Sequence, residues 1–191
     1  MFRCILCSRI SLTIICKECV SSYLKPNLYK RVLPNYLTVY SFYRYSDIEF
    51  LLKSKHKFIG YSIYRTLAKN SFYNFAKNFK YDTQVVAIPI DDDPKYSYSH
   101  TAILAKSLKS KYIKPLYSKL RAQNSVSYSA KPLSYRLSNP RDFMVDYKLN
   151  YDLILVDDIV TSGTTLSEAK KVLEDRGNSV LFALTLADAR I

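Results

Sequence analysis

Leu153-Ile154-Leu155-Val156-Asp157-Asp158-Ile159-Val160-Thr161-Ser162-Gly163-Thr164-Thr165 is the stretch on which the reading of this 191-residue chain turns. The unbroken apolar run Leu153 to Val156 is what a central parallel strand buried on both faces requires. Beyond the hydroxyl-rich turn, Leu166, Ala169, Val172 and Leu173 recur at helical spacing, with Lys170, Lys171 and Glu174 on the other face. Gly177 stands where a helix-terminating glycine belongs, and Ser179–Ala187 reads as the next strand. The result is one βαβ unit with a right-handed crossover expected. The fold class that follows is α/β, a central parallel sheet flanked by helices.

The turn itself carries chemistry. The chain has only three glycines, and Gly163 is one of them, so the backbone there must bend sharply or lie close to a ligand. Because a helix starts at this point, free amide N–H groups and the positive end of the dipole aim at one place. With the hydroxyls of Thr161, Ser162, Thr164 and Thr165 added, the expectation is a cup for a phosphate dianion. It is neither a Walker loop, since no Gly-Lys-Ser/Thr follows, nor a dinucleotide-binding fingerprint. Asp157 and Asp158, just before the cup, are placed to accept hydrogen bonds from vicinal hydroxyls of a ribose whose 5-phosphate fills it. The alternative is a pair of loop or cap residues with no ligand. Two adjacent carboxylates repel, however, which favours a donor-rich or metal-bearing partner.

All four cysteines lie near the amino terminus, as Cys4-x-x-Cys7 and Cys16-x-x-Cys19, with eight residues between the pairs. Two such turns facing each other complete a tetrahedron around zinc, with no cysteine left over and no open coordination position, which describes a structural site. Disulfides are the competing reading, disfavoured in reducing cytosol, and a redox motif would use one pair inside a βαβ unit. Residues 1–35 hold too few apolar groups for their own core, so metal must supply much of the folding free energy. The expected organisation is a four-cysteine zinc ribbon over 1–35 and an α/β domain over 36–191.

Charge is unevenly spread. The net charge is +13 overall, but +11 over residues 1–81, +5 over 82–150 and −3 over 151–191. This asymmetry favours a polyanionic partner at the front of the molecule, a solvated basic face being the alternative. Arg3, Arg9, Lys17, Lys25, Lys30 and Arg31 make the ribbon a candidate docking surface. Among 18 Tyr and 9 Phe, several alternate with basic residues (Tyr29-Lys30-Arg31, Tyr43-Arg44-Tyr45, Tyr64-Arg65), a pattern that suits base stacking but also an aromatic core. No run reaches the 18 or so apolar residues of a membrane span, and Arg9 interrupts the apolar amino terminus without a cleavage site, so the expected compartment is the cytoplasm.

The segment Leu153–Thr165 closely resembles the phosphoribosyl-diphosphate signature of type I phosphoribosyltransferases. Together with the four-cysteine ribbon, the whole chain resembles the ComF family, linked to natural competence and DNA uptake. The resemblance implies a phosphoribosyltransferase-like domain that binds phosphoribosyl diphosphate with Mg²⁺ through Asp157, Asp158 and Thr161 to Thr165. It also implies contact with incoming single-stranded DNA and a peripheral contact with inner-membrane uptake machinery. An active, Mg²⁺-dependent phosphoribosyltransferase on an unidentified acceptor is the alternative, and a regulator that only senses the ligand is a third.

The middle of the chain fits and departs from that pattern. Leu37–Phe42 reads as a strand, Ile59–Phe79 as a helix with Tyr61, Ile63, Tyr64, Leu67 and Ala68 forming a buried stripe, and Val85–Ile90 as a second buried strand. A helix is expected over His100–Lys111 with Ile103, Leu104 and Leu108 inward. ComF-like chains place Arg-Gly-aromatic-Asn before this helix. Here Tyr96-Ser97-Tyr98-Ser99 stands instead, after three acids at Asp91–Asp93 that either hold Mg²⁺ or face water. Arg121, Gln123, Arg136, Asn139 and Phe143 resemble later family elements, and the stretch from Gln123 to Arg136 reads as a lid or an ordinary surface loop. Neither His56 nor His100 is assigned a catalytic role.

Overall fold

A computed structural model describes residues 2–57, 59–90, 98–124, 132–145 and 148–191. Its centre is a six-stranded sheet built from β3 (Tyr29–Val32), β4 (Thr38–Arg44), β5 (Val85–Pro89), β6 (Ile113–Pro115), β9 (Asp152–Val160) and β10 (Ser179–Asp188), in the order β3-β4-β10-β9-β5-β6. All neighbours pair in parallel except β3 and β4, which form an antiparallel hairpin at one edge. The expected α/β class is what the chain adopts. The quoted run is its centre: Leu153, Ile154, Leu155 and Val156 are wholly buried between β10 and β5.

Helices cover both faces, and strand alternation decides which residue meets which layer. Ile154 and Val156 pack with the layer of α2 (Tyr45–Leu52), α3 (Gly60–Asn70), α4 (Phe72–Asn78) and α5 (His100–Ser107). Leu153 and Leu155 pack against Leu166, Ala169 and Leu173 of α7 (Thr164–Asp175) on the opposite face.

Before the sheet, β1 (Phe2–Arg3) and β2 (Ile10–Ser11) form a short antiparallel hairpin followed by α1 (Lys17–Tyr23). This small unit has no separate core: Cys4, Ile15, Cys16, Cys19 and Leu24 belong to the same apolar cluster as Phe42 and Leu67. The Leu24 carbonyl accepts from the Tyr43 hydroxyl and the Asn70 amide, joining the unit to β4 and α3. Residues 1–35 also include β3, which is an edge strand of the large sheet.

Three expectations need correction. The helix expected over Ile59–Phe79 breaks into α3 and α4 at Ser71, whose Oγ donates to the Leu67 carbonyl at 2.7 Å, a back-bond that bends helices. The helix expected to reach Lys111 ends at Ser107. Its last turn tightens, Leu108 N–H bonding Ala105 O and Lys109 N–H bonding Lys106 O, before the chain turns into β6. Leu104 and Leu108 still point inward, as periodicity required. Finally, the strand before the cup runs on through both aspartates to Val160, because β10 is long enough to pair with it as far as Val160↔Asp188.

A further antiparallel pair, β7 (Arg121–Ala122) with β8 (Phe143–Met144), closes the base of an arm that contains α6 (Leu133–Ser138). Glu168 of α7 accepts the backbone N–H groups of Arg141 and Asp142 at 3.1 and 2.7 Å and so ties this base to the helix that follows the cup. Half of the Gln123-to-Arg136 stretch, residues 125–131, lies outside the described residues, as do Asp91–Asp93, Tyr96 and Ser97. No helix among the described residues is long and apolar enough to cross a membrane.

Candidate functional site

Sheet register builds the site. β5 pairs with β9 only as far as Pro89↔Val156, and the Ile90 N–H then bonds the Val156 carbonyl. Asp157 and Asp158 come next on β9, past the end of that neighbour and half-buried. The crevice outside the carboxyl ends of parallel strands is where open α/β sheets bind ligands. Asp157 Oδ1 accepts the Asp158 N–H at 2.8 Å. Asp158 Oδ2 accepts the hydroxyl of Tyr64 at 3.2 Å, a wholly buried residue of α3.

Of the two readings of Tyr64, base stacking and core, the structure bears out the second for its ring, which is wholly buried. Its hydroxyl nevertheless reaches the site, a role that helical periodicity could not show. Burial first, and then the Asp158 charge, push this phenol well above its ordinary range, so it stays a hydrogen-bond donor at all ordinary pH values. The ring of His100, first residue of α5, lies 4.9 Å from those of both Tyr64 and Tyr98. Together they form an aromatic wall beside Asp158.

The hydroxyl loop follows. Gly163 is left-handed, at φ 84° and ψ 4°, and serves as the cap of α7. With no side chain of its own, Gly163 caps none of the first-turn N–H groups; that of Thr164 reaches the Ser162 hydroxyl at 3.4 Å, a long bond that an anion entering the loop can replace. No acidic side chain sits in that first turn, so the positive helix end is not neutralised from within. The Ser162 and Thr164 hydroxyls lie 2.9 Å apart. All of Thr161, Ser162, Thr164 and Thr165 are half-buried, ordered yet reachable.

Glycine is required here twice over. A Cβ at Gly163 would lie 2.6 Å from both terminal carbons of Leu33 on the β3–β4 hairpin, and its φ is one that L side chains rarely adopt. Gly163→Ala is therefore expected to destabilise the protein by about 2–4 kcal/mol, from left-handed strain plus displacement of Leu33. Urea unfolding would measure it; an unchanged midpoint would mean that the turn is not held as described.

The four cysteines also converge. Their Sγ atoms all lie within 4.8 Å of one another, and Cys7 Sγ to Cys16 Sγ is 3.7 Å. Sulfurs at about 2.3 Å from a tetrahedral zinc stand about 3.8 Å apart, so the donor set fits that ion, and none of the four is in a disulfide. Backbone amides aim at the sulfurs: Cys16 N–H at Cys4 Sγ, 3.3 Å, and Cys19 N–H at Cys16 Sγ, 3.5 Å. Burial pushes the Cys4 thiol up, but hydrogen bonds from the backbone of Cys16, Cys7 and Leu6 outweigh it and bring it down to about 6. Burial drives Cys19 the other way, well above its ordinary value.

The basic and aromatic pairs divide. Arg3, Arg9, Lys17, Lys25 and Lys30 are exposed. Arg31 is not a docking cation: its guanidinium turns inward, with Nε 3.0 Å from Asp188 and Nη2 donating to the Thr161 carbonyl at 3.0 Å. The rings of Tyr43 and Tyr64 are buried, because a small two-layer core needs their volume. Exposed Arg44 lies over the half-buried ring of Tyr29, and exposed Arg65 over the ring of Tyr61, each at 5.6 Å; Tyr61, read from helical spacing as part of the buried stripe, is exposed instead, at the solvent edge of α3.

No family model and no curated protein matches the chain. Solved structures similar to it include a hypoxanthine phosphoribosyltransferase from Staphylococcus aureus (15% identity, TM-score 0.42), with 66% of this chain and 64% of that one covered. The chain thus spans less than two thirds of that enzyme's length. A Trypanosoma cruzi hypoxanthine phosphoribosyltransferase gives 18% identity and a TM-score of 0.40, with 66% and 65% covered. The orotate phosphoribosyltransferase of Aeropyrum pernix gives 18% and 0.33, with 91% and 81% covered. At these scores the likeness decides nothing about substrate or activity, which rest on the residues of the site.

Proposed function

We propose that the chain binds a 5-phosphorylated ribose bearing an anomeric diphosphate, and that it serves as a ComF-like competence factor in DNA uptake during natural transformation. The observation that carries the ligand reading is the left-handed Gly163 opening α7 directly after the Asp157–Asp158 pair. A dianion sits in that turn on the first-turn N–H groups and the hydroxyls of Thr161 to Thr165. The two carboxylates accept the ribose hydroxyls. They are also the hard oxygen donors that Mg²⁺ takes, and the ion, when bound, offsets the diphosphate charge. Zinc in the Cys4, Cys7, Cys16, Cys19 cluster is the structural clip that attaches the basic unit.

Single-stranded DNA is the proposed macromolecular partner, on the exposed cations of the amino-terminal unit and the Arg44–Tyr29 and Arg65–Tyr61 pairs. The protein acts in the cytoplasm with a peripheral contact to inner-membrane uptake machinery. A second reading, a Mg²⁺-dependent phosphoribosyltransferase on an unidentified acceptor, is favoured by one feature. Tyr64 holds Asp158 in a defined orientation, as turnover needs.

Calorimetric titration with 5-phosphoribosyl 1-diphosphate and Mg²⁺ tests the ligand reading, with saturable one-to-one binding expected. Titration of a labelled oligonucleotide at rising salt tests the DNA reading. Affinity should fall steeply as counterions are released; flat or absent binding removes that part.

A further inference from the structure

The hydroxyl loop and the helix that follows it are held from behind by the β3–β4 hairpin at three points, two on the loop and one on α7. Arg31 Nη2 bonds the Thr161 carbonyl at 3.0 Å. Leu33 packs against Gly163 so closely that no Cβ fits between them. Lys170 of α7 reaches back to the Asn35 carbonyl at 2.9 Å. The Arg31 guanidinium is itself fixed, with Nε 3.0 Å from Asp188, a residue only 1% exposed. Asp188 is fixed in turn through its other oxygen, which accepts the Arg190 N–H at 2.9 Å.

These contacts have a directional consequence. In a trans peptide the N–H points opposite to the C=O, and there is no cis bond among the described residues. Holding the Thr161 oxygen on the β3 side therefore turns the Ser162 N–H to the other side. Leu33 closes the β3 side of the turn at Gly163, so an anion has to enter from that other side, where the Ser162 N–H points. If this peptide were flipped, the Thr161 carbonyl oxygen would face the phosphate and repel it.

We propose that Arg31 is a positioning residue of the phosphate cup, which keeps the Thr161–Ser162 peptide in its N–H-inward orientation by gripping the Thr161 carbonyl while Asp188 anchors the guanidinium. The proposal rests on the ribose-phosphate reading of the loop. Arg31 touches the loop from behind, so its effect on binding passes through the backbone.

The test uses the full chain with Arg31→Met and Arg31→Lys variants and two probes, 5-phosphoribosyl 1-diphosphate with Mg²⁺ and inorganic phosphate. Affinity is read by calorimetry and the Ser162 amide by nitrogen–proton NMR. Arg31→Met is expected to lose at least about tenfold in affinity for both probes, in line with the loss of a charge-assisted hydrogen bond. The phosphate-induced shift of the Ser162 amide should disappear with it. A merely structural role would lower the melting temperature and leave that shift in place.

Where Arg31→Met does not fold, Arg31→Lys decides. Its compact ammonium lacks the planar fork whose Nε faces Asp188 while Nη2 faces Thr161, so affinity should fall at least about threefold and the shift should shrink. Affinity and amide shift unchanged from wild type, in either variant, overturn the proposal. Wild-type protein that answers inorganic phosphate at Ser162 but ignores the sugar diphosphate refutes the ribose reading while supporting Arg31, provided the Met variant abolishes the response. A wild-type chain silent to both probes overturns the two together.

Discussion

Replacing Asp157 and Asp158 together by Asn should weaken binding of 5-phosphoribosyl 1-diphosphate by about 10²–10⁴-fold while leaving the protein folded. The reasoning is local. Each carboxylate accepts hydroxyl donors as a charge-assisted acceptor, worth about 1.5–3 kcal/mol, and each 1.4 kcal/mol is a factor of ten. Asparagine keeps the shape and one oxygen, so Tyr64 retains an acceptor at position 158. The unliganded variant should melt no lower than wild type, because two adjacent like charges have been removed. Calorimetry and a thermal melt read both quantities. Unchanged affinity in a folded double variant would end the ribose-phosphate reading.

The second large effect is expected at the cysteine cluster. Zinc analysis of purified protein should find one ion per chain, and Cys16→Ser should abolish it. Structural zinc contributes about 10–16 kcal/mol in small metal-dependent units, as much as the whole stability of an ordinary domain, about 5–15 kcal/mol. Without the ion, residues 2–23 keep only a small share of the common core, Cys4, Ile15, Cys16 and Cys19 with Leu6, Cys7, Ile14 and Val20 packed partly buried against them, so that unit should open and become the first site of proteolysis. Loading should also fall on acidification, since each ligand must shed its proton before it binds metal. Cys4, brought down to about 6, is mostly thiolate at neutral pH, whereas Cys19 depends on the metal to lose its proton. A variant that keeps its protease resistance and melting temperature after losing zinc would show that the clip is dispensable.

Opening of that unit should reach the cup. The chain leaves α1 at Tyr23, passes Leu24, whose carbonyl is bonded by Tyr43 and Asn70, and enters β3, which carries Arg31. The two halves of the proposed function, a basic metal-clipped unit and a phosphate site, thus share one strand.

Features whose signal is contained in neighbouring residues were legible from the chain alone. The buried run Leu153–Val156, the helix after Thr165, the need for glycine at 163 and the convergence of four cysteines each follow from spacing, periodicity or the backbone freedom of one residue, and each is what the fold contains. The two aspartates were equally readable as candidates. Where they sit in the sheet was not, because it depends on β5 ending at Pro89 while β10 runs on to Asp188.

Only tertiary packing decided the rest. Tyr64 and Asp158 are 94 residues apart, and Arg31 and Thr161 are 130 apart. No local pattern distinguishes an arginine on a basic ribbon from one folded under a phosphate turn. Sequence specifies which side chains want burial or a partner. Which of several candidates is brought within hydrogen-bonding distance is set by strand order and register, and these emerge only when the whole sheet closes around its core.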